Sequence, residues 1–218
     1  MYEISVLIPL HNGIRFLEES ITSVLNQTYT NYEVIIGVNG FKKNSDVYKI
    51  ANEYKSNKIK VLDLFFLKGK SNSLNYMIGQ CKYDWVALLD VDDIWMSDKL
   101  EEQVKYMNYY DVIGTHCKYF EKLEVSPIIP MGDLKNFDFL SYNPIINSSC
   151  LIKKELAFWN NINDGVEDYE LWLKLNKEGK KFFNINKILV KHRIHEDSAF
   201  NTSTHNEKLN RIKVFYGR

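Results

Sequence analysis

Three carboxylates fall within four residues at Asp90-Val91-Asp92-Asp93, directly after the apolar run 85–89 (WVALL). Like charges that close raise one another's pKa unless a cation sits among them, and hard divalent cations prefer oxygen ligands. Mg2+ or Mn2+ is the natural guest of such a cluster; the alternative is a solvated acidic turn that caps the following helix. A metal held by one or two carboxylates usually completes its shell with water and phosphate oxygens, so a metal here would imply a phosphorylated ligand. The chain has neither a Gly-x-x-x-x-Gly-Lys-Ser/Thr loop nor a Gly-x-Gly-x-x-Gly run. That argues against a P-loop nucleotide hydrolase and against a dinucleotide cofactor.

The acidic cluster needs elements that hold it at an edge. Short apolar runs rich in β-branched residues recur at 4–9 (ISVLIP), 33–38 (EVIIGV), 59–64 (IKVLDL) and 85–89, and each reads as a buried strand. Between them Phe16, Leu17, Ile21, Val24 and Leu25, then Val47, Ile50, Ala51 and Tyr54, then Leu74, Met77 and Ile78 keep a helical period. Strand and helix alternating in this way predict a parallel sheet covered on both faces, with ligands at the carboxyl ends of the strands. Strand one ends at Pro9-Leu10-His11-Asn12-Gly13, strand two at Asn39-Gly40 and strand four at the acidic cluster, so three polar groups share that edge.

Beyond a helix predicted at 99–108, Pro127, Pro130 and Pro144 punctuate short strands and loops that should complete the same sheet. Residues 168–178 return to helical spacing through Leu171, Trp172 and Leu175, with Gly179 as a stop, and 206–216 suits a last short helix. No internal repeat or composition break marks a boundary, so 1–218 reads as a single domain.

At 218 residues, 45% of them hydrophobic, the chain can bury a sizeable core. Lys plus Arg and Asp plus Glu both number 28, so the balance asks for neither nucleic acid nor an anionic membrane. Cys81, Cys117 and Cys150 are widely spaced and fit reduced core residues better than disulfides or a thiolate zinc site. No leader-like or membrane-spanning stretch stands out, so the expected location is cytoplasmic.

Several motifs occur in a telling order. They are Pro9-x-His11-Asn12, Ser23-Val24-Leu25-Asn26-Gln27-Thr28-Tyr29, Tyr32-Glu33-Val34-Ile35-Ile36, and Gly69-Lys70-Ser71 with Leu74-Asn75. Leu89-Asp90-Val91-Asp92-Asp93-Ile94-Trp95 follows with Lys99-Leu100-Glu101, then Glu167-Asp168-Tyr169-Glu170-Leu171-Trp172 and Arg193-Ile194-His195-Glu196. Together, over about residues 4–198, they resemble the inverting nucleotide-sugar glycosyltransferases of the GT-A fold, family 2-like. The resemblance implies an α/β fold with a Rossmann-like, mostly parallel central sheet flanked by helices. It implies a nucleotide-sugar-binding half over about 1–98 and a smaller, irregular half over about 99–218 for the acceptor and the catalytic base.

It also implies metal-dependent transfer of a sugar, with inversion, from a nucleoside-diphosphate donor to a glycan, lipid-linked or protein acceptor. Asp90 would lie near the ribose, Asp92 would ligate a Mn2+ or Mg2+ that bridges the two phosphates, and Asp93 would support it. Asp168 corresponds to the base that takes the acceptor proton; it could equally cap its helix, whose N-terminus would hold its pKa low. Glu167 would orient the loop or touch the acceptor. His195 would approach the metal, and Arg193 is a weaker candidate for the diphosphate. Pro9, His11 and Lys70 fall at nucleotide-sugar contacts. His192 and His205 carry no assigned role, and Trp95 and Trp159 suit buried packing better than sugar stacking.

One departure concerns strand two, where relatives carry Asp-Asp-Gly-Ser and this chain has Val38-Asn39-Gly40-Phe41. The Asn39 amide could pair with uracil, so a UDP-sugar is favoured over dTDP or GDP donors. Two other classes stand beside this one: a catalytically inactive nucleotide-sugar or glycan-binding protein of the same fold, and a metal-dependent phosphoryl enzyme. The second would be expected to place its aspartates after strand one.

Overall fold

Strands β1 (Ile4–Leu10), β2 (Tyr32–Asn39), β3 (Ile59–Leu64) and β4 (Trp85–Leu88) run parallel in the order β3-β2-β1-β4 in a computed structural model that describes residues 2–196 and 205–217. β1 and β2 are buried along nearly their whole length because helices cover both faces. Alternate side chains point to opposite faces. Val6, Ile8, Val34 and Ile36 share one core with Leu17, Ile21 and Val24 of α1 (Leu17–Leu25). Helix α2 (Asp46–Asn52) buries Ala51 in that core as well. Leu7 and Ile35 share the other core with Leu74 and Met77 of α3 (Lys70–Ile78).

The rest of the chain extends this sheet. After β5 (Ile94–Trp95) and α4 (Lys99–Val104) come β6 (Val112–Glu121), β7 (Gly132–Asp133) and β8 (Leu151–Lys153). Then follow α5 (Glu167–Lys177), β9 (Phe182–Ile194) and α6 (Asn206–Tyr216). Among the described residues the nine-stranded sheet has the order β3-β2-β1-β4-β8-β6-β9-β5, with β7 also on β9. β8 is antiparallel to both β4 and β6, whereas β6 and β9 are parallel to each other. The β6–β9 register shifts on either side of His116, a bulge that carries the end of β9 under the acidic cluster.

Several boundaries differ from the sequence reading. α4 stops at Val104 and continues as turns. α5 begins at Glu167, and Gly179, at φ 73°, stands just beyond it as the expected stop. Trp95 and Trp159 are core residues, and the three cysteines are buried free thiols. Among the described residues no helix is long and apolar enough to cross a membrane. Residues 197 and 198, where the family resemblance ends, lie outside the described residues.

Candidate active site at the carboxyl edge of the sheet

β4 runs through Leu89 into the acidic turn, and each of its three carboxylates has a different environment. Asp90 Oδ1 lies 2.7 Å from Lys70 Nζ, and Asn147 Nδ2 donates to both Asp90 oxygens at 3.1 and 3.0 Å. Burial opposes the Asp90 charge, but Lys70 and Asn147 hold its carboxyl below the usual range. Asp93 is fully buried. It accepts the Arg193 backbone N–H at 2.8 Å and pairs with His192 Nδ1 at 2.9 Å. Burial disfavours the His192 imidazolium, yet Asp93, Asp90 and Asp92 together push its pKa up to about 9.

Asp92 is the carboxylate left without a cation of comparable strength. Its Oδ2 lies 3.0 Å from His195 Nε2, and burial together with Asp93 and Asp90 raises its pKa. Asp92 and His195 line a cleft of about 510 Å³ with Asn12, Gly13, Arg15 and Phe16 from the end of β1. A second cavity, about 610 Å³, is lined by Trp85 at the start of β4, with Asp84, Lys153 and Lys154, and so opens at the opposite edge.

Among the described residues no group of three or more His, Cys, Asp and Glu side chains is placed to hold a metal ion. Asp90 pairs with Lys70 and Asn147, Asp93 with β9, and Asp92 with His195. A cation held by few protein ligands such as Asp92 and His195 suits Mg2+ or Mn2+, which fill their shells from water and phosphate. A raised Asp92 pKa among like charges is relieved by a bound cation, so the donor set fits the expected metal.

The first turn of α5 faces this cluster through Lys70, whose Nζ stands 3.7 Å from Glu167 Oε1. Glu167 also accepts the Gly165 backbone N–H. Asp168 Oδ1 accepts the Tyr169 N–H at 2.7 Å and Oδ2 accepts from Asn143 Nδ2 at 3.1 Å. Two expectations about Asp168 are corrected here. It is not the N-cap, because α5 starts one residue earlier with Val166 before it. Nor is its pKa held low: burial and the adjacent Glu167 outweigh Lys70 and the hydrogen bonds, and push it up to about 6. A carboxylate in that range is ionised at neutral pH yet more basic than a solvated one, which suits proton abstraction.

The other expected contacts are distributed unevenly. Pro9 is half-buried within β1, opposite Gly37. His11 is exposed, and its Nδ1 donates to the Asn39 carbonyl at 3.2 Å. Asn39 is buried, and its amide donates to the Gly69 carbonyl at 3.4 Å, which ties β2 to the start of α3. Asp93, expected in a supporting role, is fully buried and anchors β9. The Arg193 side chain, the weaker diphosphate candidate, is turned into the protein. Its buried guanidinium donates to the Asp92 carbonyl, pairs with Glu121 and Glu19, and lies between the Phe16 and Phe120 rings.

Sequence reasoning missed His192, Asn143 and Asn147. His192 had one usable signal, its place in a basic run that shares a strand end with Arg193 and His195. The two asparagines sit in the irregular stretch before α5 and had none.

Residues 5–148 match the family model described as glycosyl transferase family 2. The chain is 30% identical over 218 residues to "O-antigen biosynthesis glycosyltransferase WbnJ" of Escherichia coli, covering 90% of this chain and 81% of that protein. Across eight of the curated relatives that it matches, the chain spans from 32% to 81% of their length. Its fold is that of the GT-A structures. S. aureus TarS 1-349 in complex with UDP-GlcNAc superposes with a TM-score of 0.78 at 15% identity, over 98% of this chain and 66% of that one. The mannosyltransferase PcManGT from Pyrobaculum calidifontis, in complex with GDP-Man and Mn2+, superposes with a TM-score of 0.67 at 15% identity, over 91% and 59%.

Proposed function

Because the chain belongs to glycosyl transferase family 2, we propose that it transfers a sugar from a nucleoside-diphosphate donor, a UDP-sugar by preference, to an acceptor hydroxyl with inversion. The observation that carries this reading is Lys70, whose ammonium touches Asp90 at the end of β4 and approaches Glu167 at the start of α5. The donor-side carboxylates and the residue best suited to act as base therefore face one site.

In a single displacement the acceptor oxygen attacks the anomeric carbon from the face opposite the diphosphate, and the glycosidic electron pair leaves with the nucleoside diphosphate. The Asp168 carboxylate takes the acceptor proton as the new C–O bond forms, and its raised basicity helps it do so. Asn143 and the Tyr169 N–H fix its orientation. Glu167 stands between the base and Lys70 and orients the loop. Asp92 and His195 would hold a divalent cation, which when bound supplies positive charge to the developing diphosphate leaving group. A GT-A structure solved with Mn2+ supports metal use.

Asn39, with His11 on its carbonyl, is the residue that would read uracil. The complex of TarS with UDP-GlcNAc supports that donor class. The WbnJ relative, named for O-antigen biosynthesis, favours a glycan acceptor.

Asp168→Asn tests the assignment. Transfer should fall by about 10²–10⁴-fold, as for loss of a general base, while donor affinity is kept. Near-normal transfer by the variant would remove Asp168 from the chemistry.

A further inference from the structure

The stretch just before α5 is pinned from two sides, and neither side belongs to the acidic cluster. One side is the N-terminus of α3. Its N-cap is Gly69, which has no side chain to satisfy the first amide groups of the helix. Asp164, 93 positions from Ser71, supplies the contact instead: its Oδ1 accepts the Ser71 N–H at 3.1 Å and also the Ser71 hydroxyl. A carboxylate there also meets the positive end of the helix. The fit requires glycine at position 69, where φ is 84° and a Cβ would lie 2.0 Å from Asp164 Oδ2. Further along α3, Asn75 exchanges two hydrogen bonds with the Trp159 backbone at 2.7 and 2.9 Å, and Asn72 accepts from Asn161 at 3.1 Å.

The other side is α6. Lys208 Nζ donates to the Asp164 carbonyl at 2.6 Å, and the Arg211 guanidinium donates to Asn163 Oδ1. Asn163 and Asn160 in turn donate to the two carboxylate oxygens of Glu170 on α5, at 2.8 and 3.2 Å. A continuous set of contacts thus runs from the helix that carries Lys70, through Asp164 and its neighbours Asn160 and Asn163 in the same segment, to the helix that carries Asp168.

We propose that Asp164, gripped by Ser71 of α3 and by Lys208 of α6, is a positioning residue that sets where Asp168 stands relative to the donor. α6 carries no residue of the site, yet transfer requires it because it holds the back of this segment. The inference rests on the reading of Asp168 as the base.

The test uses the full chain with Asp164→Ala and, separately, Arg211→Met. Displacing a catalytic group by about 1 Å costs about 10²-fold, so kcat should fall by about that factor while the donor KM stays within about twofold. The Asp168 carboxyl, followed by 13C NMR, should titrate away from its value of about 6. Asp164→Asn keeps an acceptor oxygen for the Ser71 N–H and should recover most of the rate. A lower Tm with unchanged kcat and unchanged Asp168 titration at temperatures where the variants are folded would overturn the proposal. If Asp164→Ala does not fold, Arg211→Met on the far side of the segment gives the same two outcomes. If the wild-type chain transfers no sugar, the functional reading fails, and the Asp168 titration still decides whether Asp164 places that carboxyl.

Discussion

Lys70 Nζ lies 2.7 Å from Asp90 Oδ1, at the meeting point of the strand that ends in the acidic turn and the helix that carries Asp168. Burial works against the ammonium charge, but Asp90 and Glu167 overcome it and hold Lys70 protonated. One cation therefore pairs with Asp90 on the donor side and restrains the pKa of the base. A phosphate-bearing donor would enter a site in which that cation already has two carboxylate partners.

Lys70→Met removes the positive charge that lowers the Asp168 pKa. The acid limb of kcat should move upward from about pH 6, and Lys70→Arg should return it toward the wild-type position. The kcat–pH profile between about pH 5 and pH 9 measures this. A limb unmoved in the Met variant would separate Lys70 from the base.

Asp168 also affects stability. Its pKa rises on folding to about 6, so the native state binds more protons than the unfolded chain between about pH 4 and pH 6. Stability is lost as pH rises through that window, and the cost persists above it. Asp168→Asn should therefore raise stability at pH 7, by on the order of 1–2 kcal/mol, and the gain should shrink toward pH 4. Urea denaturation at the two pH values checks the sign, and a destabilised variant at pH 7 would contradict it.

His192 has a linkage of the same sign in a higher pH window, but here it is the charged form that the fold favours. Its pKa rises on folding to about 9, so its pairing with the fully buried Asp93 stabilises the fold fully below about pH 6.5 and loses that effect as pH rises through about 9. His192→Leu leaves Asp93 with the Arg193 N–H and without its imidazolium partner, at a cost of about 3 kcal/mol at pH 6. The difference from wild type should narrow by pH 10. Equal differences at both pH values would mean that the ring packs without pairing.

What could be read from the sequence follows from where the information lies. β1 to β4 were legible because strands buried on both faces are unbroken apolar runs, and Asp90 to Asp93 because they directly follow one of them. The far half was not legible in the same way. β9 pairs with a strand about seventy residues earlier through a shifted register, and no local pattern encodes that partner. His192 therefore carried no assigned role and Arg193 only a weaker one at the diphosphate, although the fold turns one onto Asp93 and buries the other beneath the Asp92 carbonyl. The Asp168 pKa was misjudged for the same reason: the helix terminus is local and readable, whereas the burial that dominates is set by the fold.

The most direct test of a metal-dependent nucleotide-sugar site is the Tm of the wild-type chain with a panel of nucleotide sugars, each with and without Mn2+. A donor that binds only the native state stabilises it by about 2.7 kcal/mol at a hundred times its Kd. The account predicts a rise with a UDP-sugar that requires Mn2+ and disappears in Asp92→Ala. No rise with any donor and metal, or a full Mn2+-dependent rise in Asp92→Ala, would contradict it.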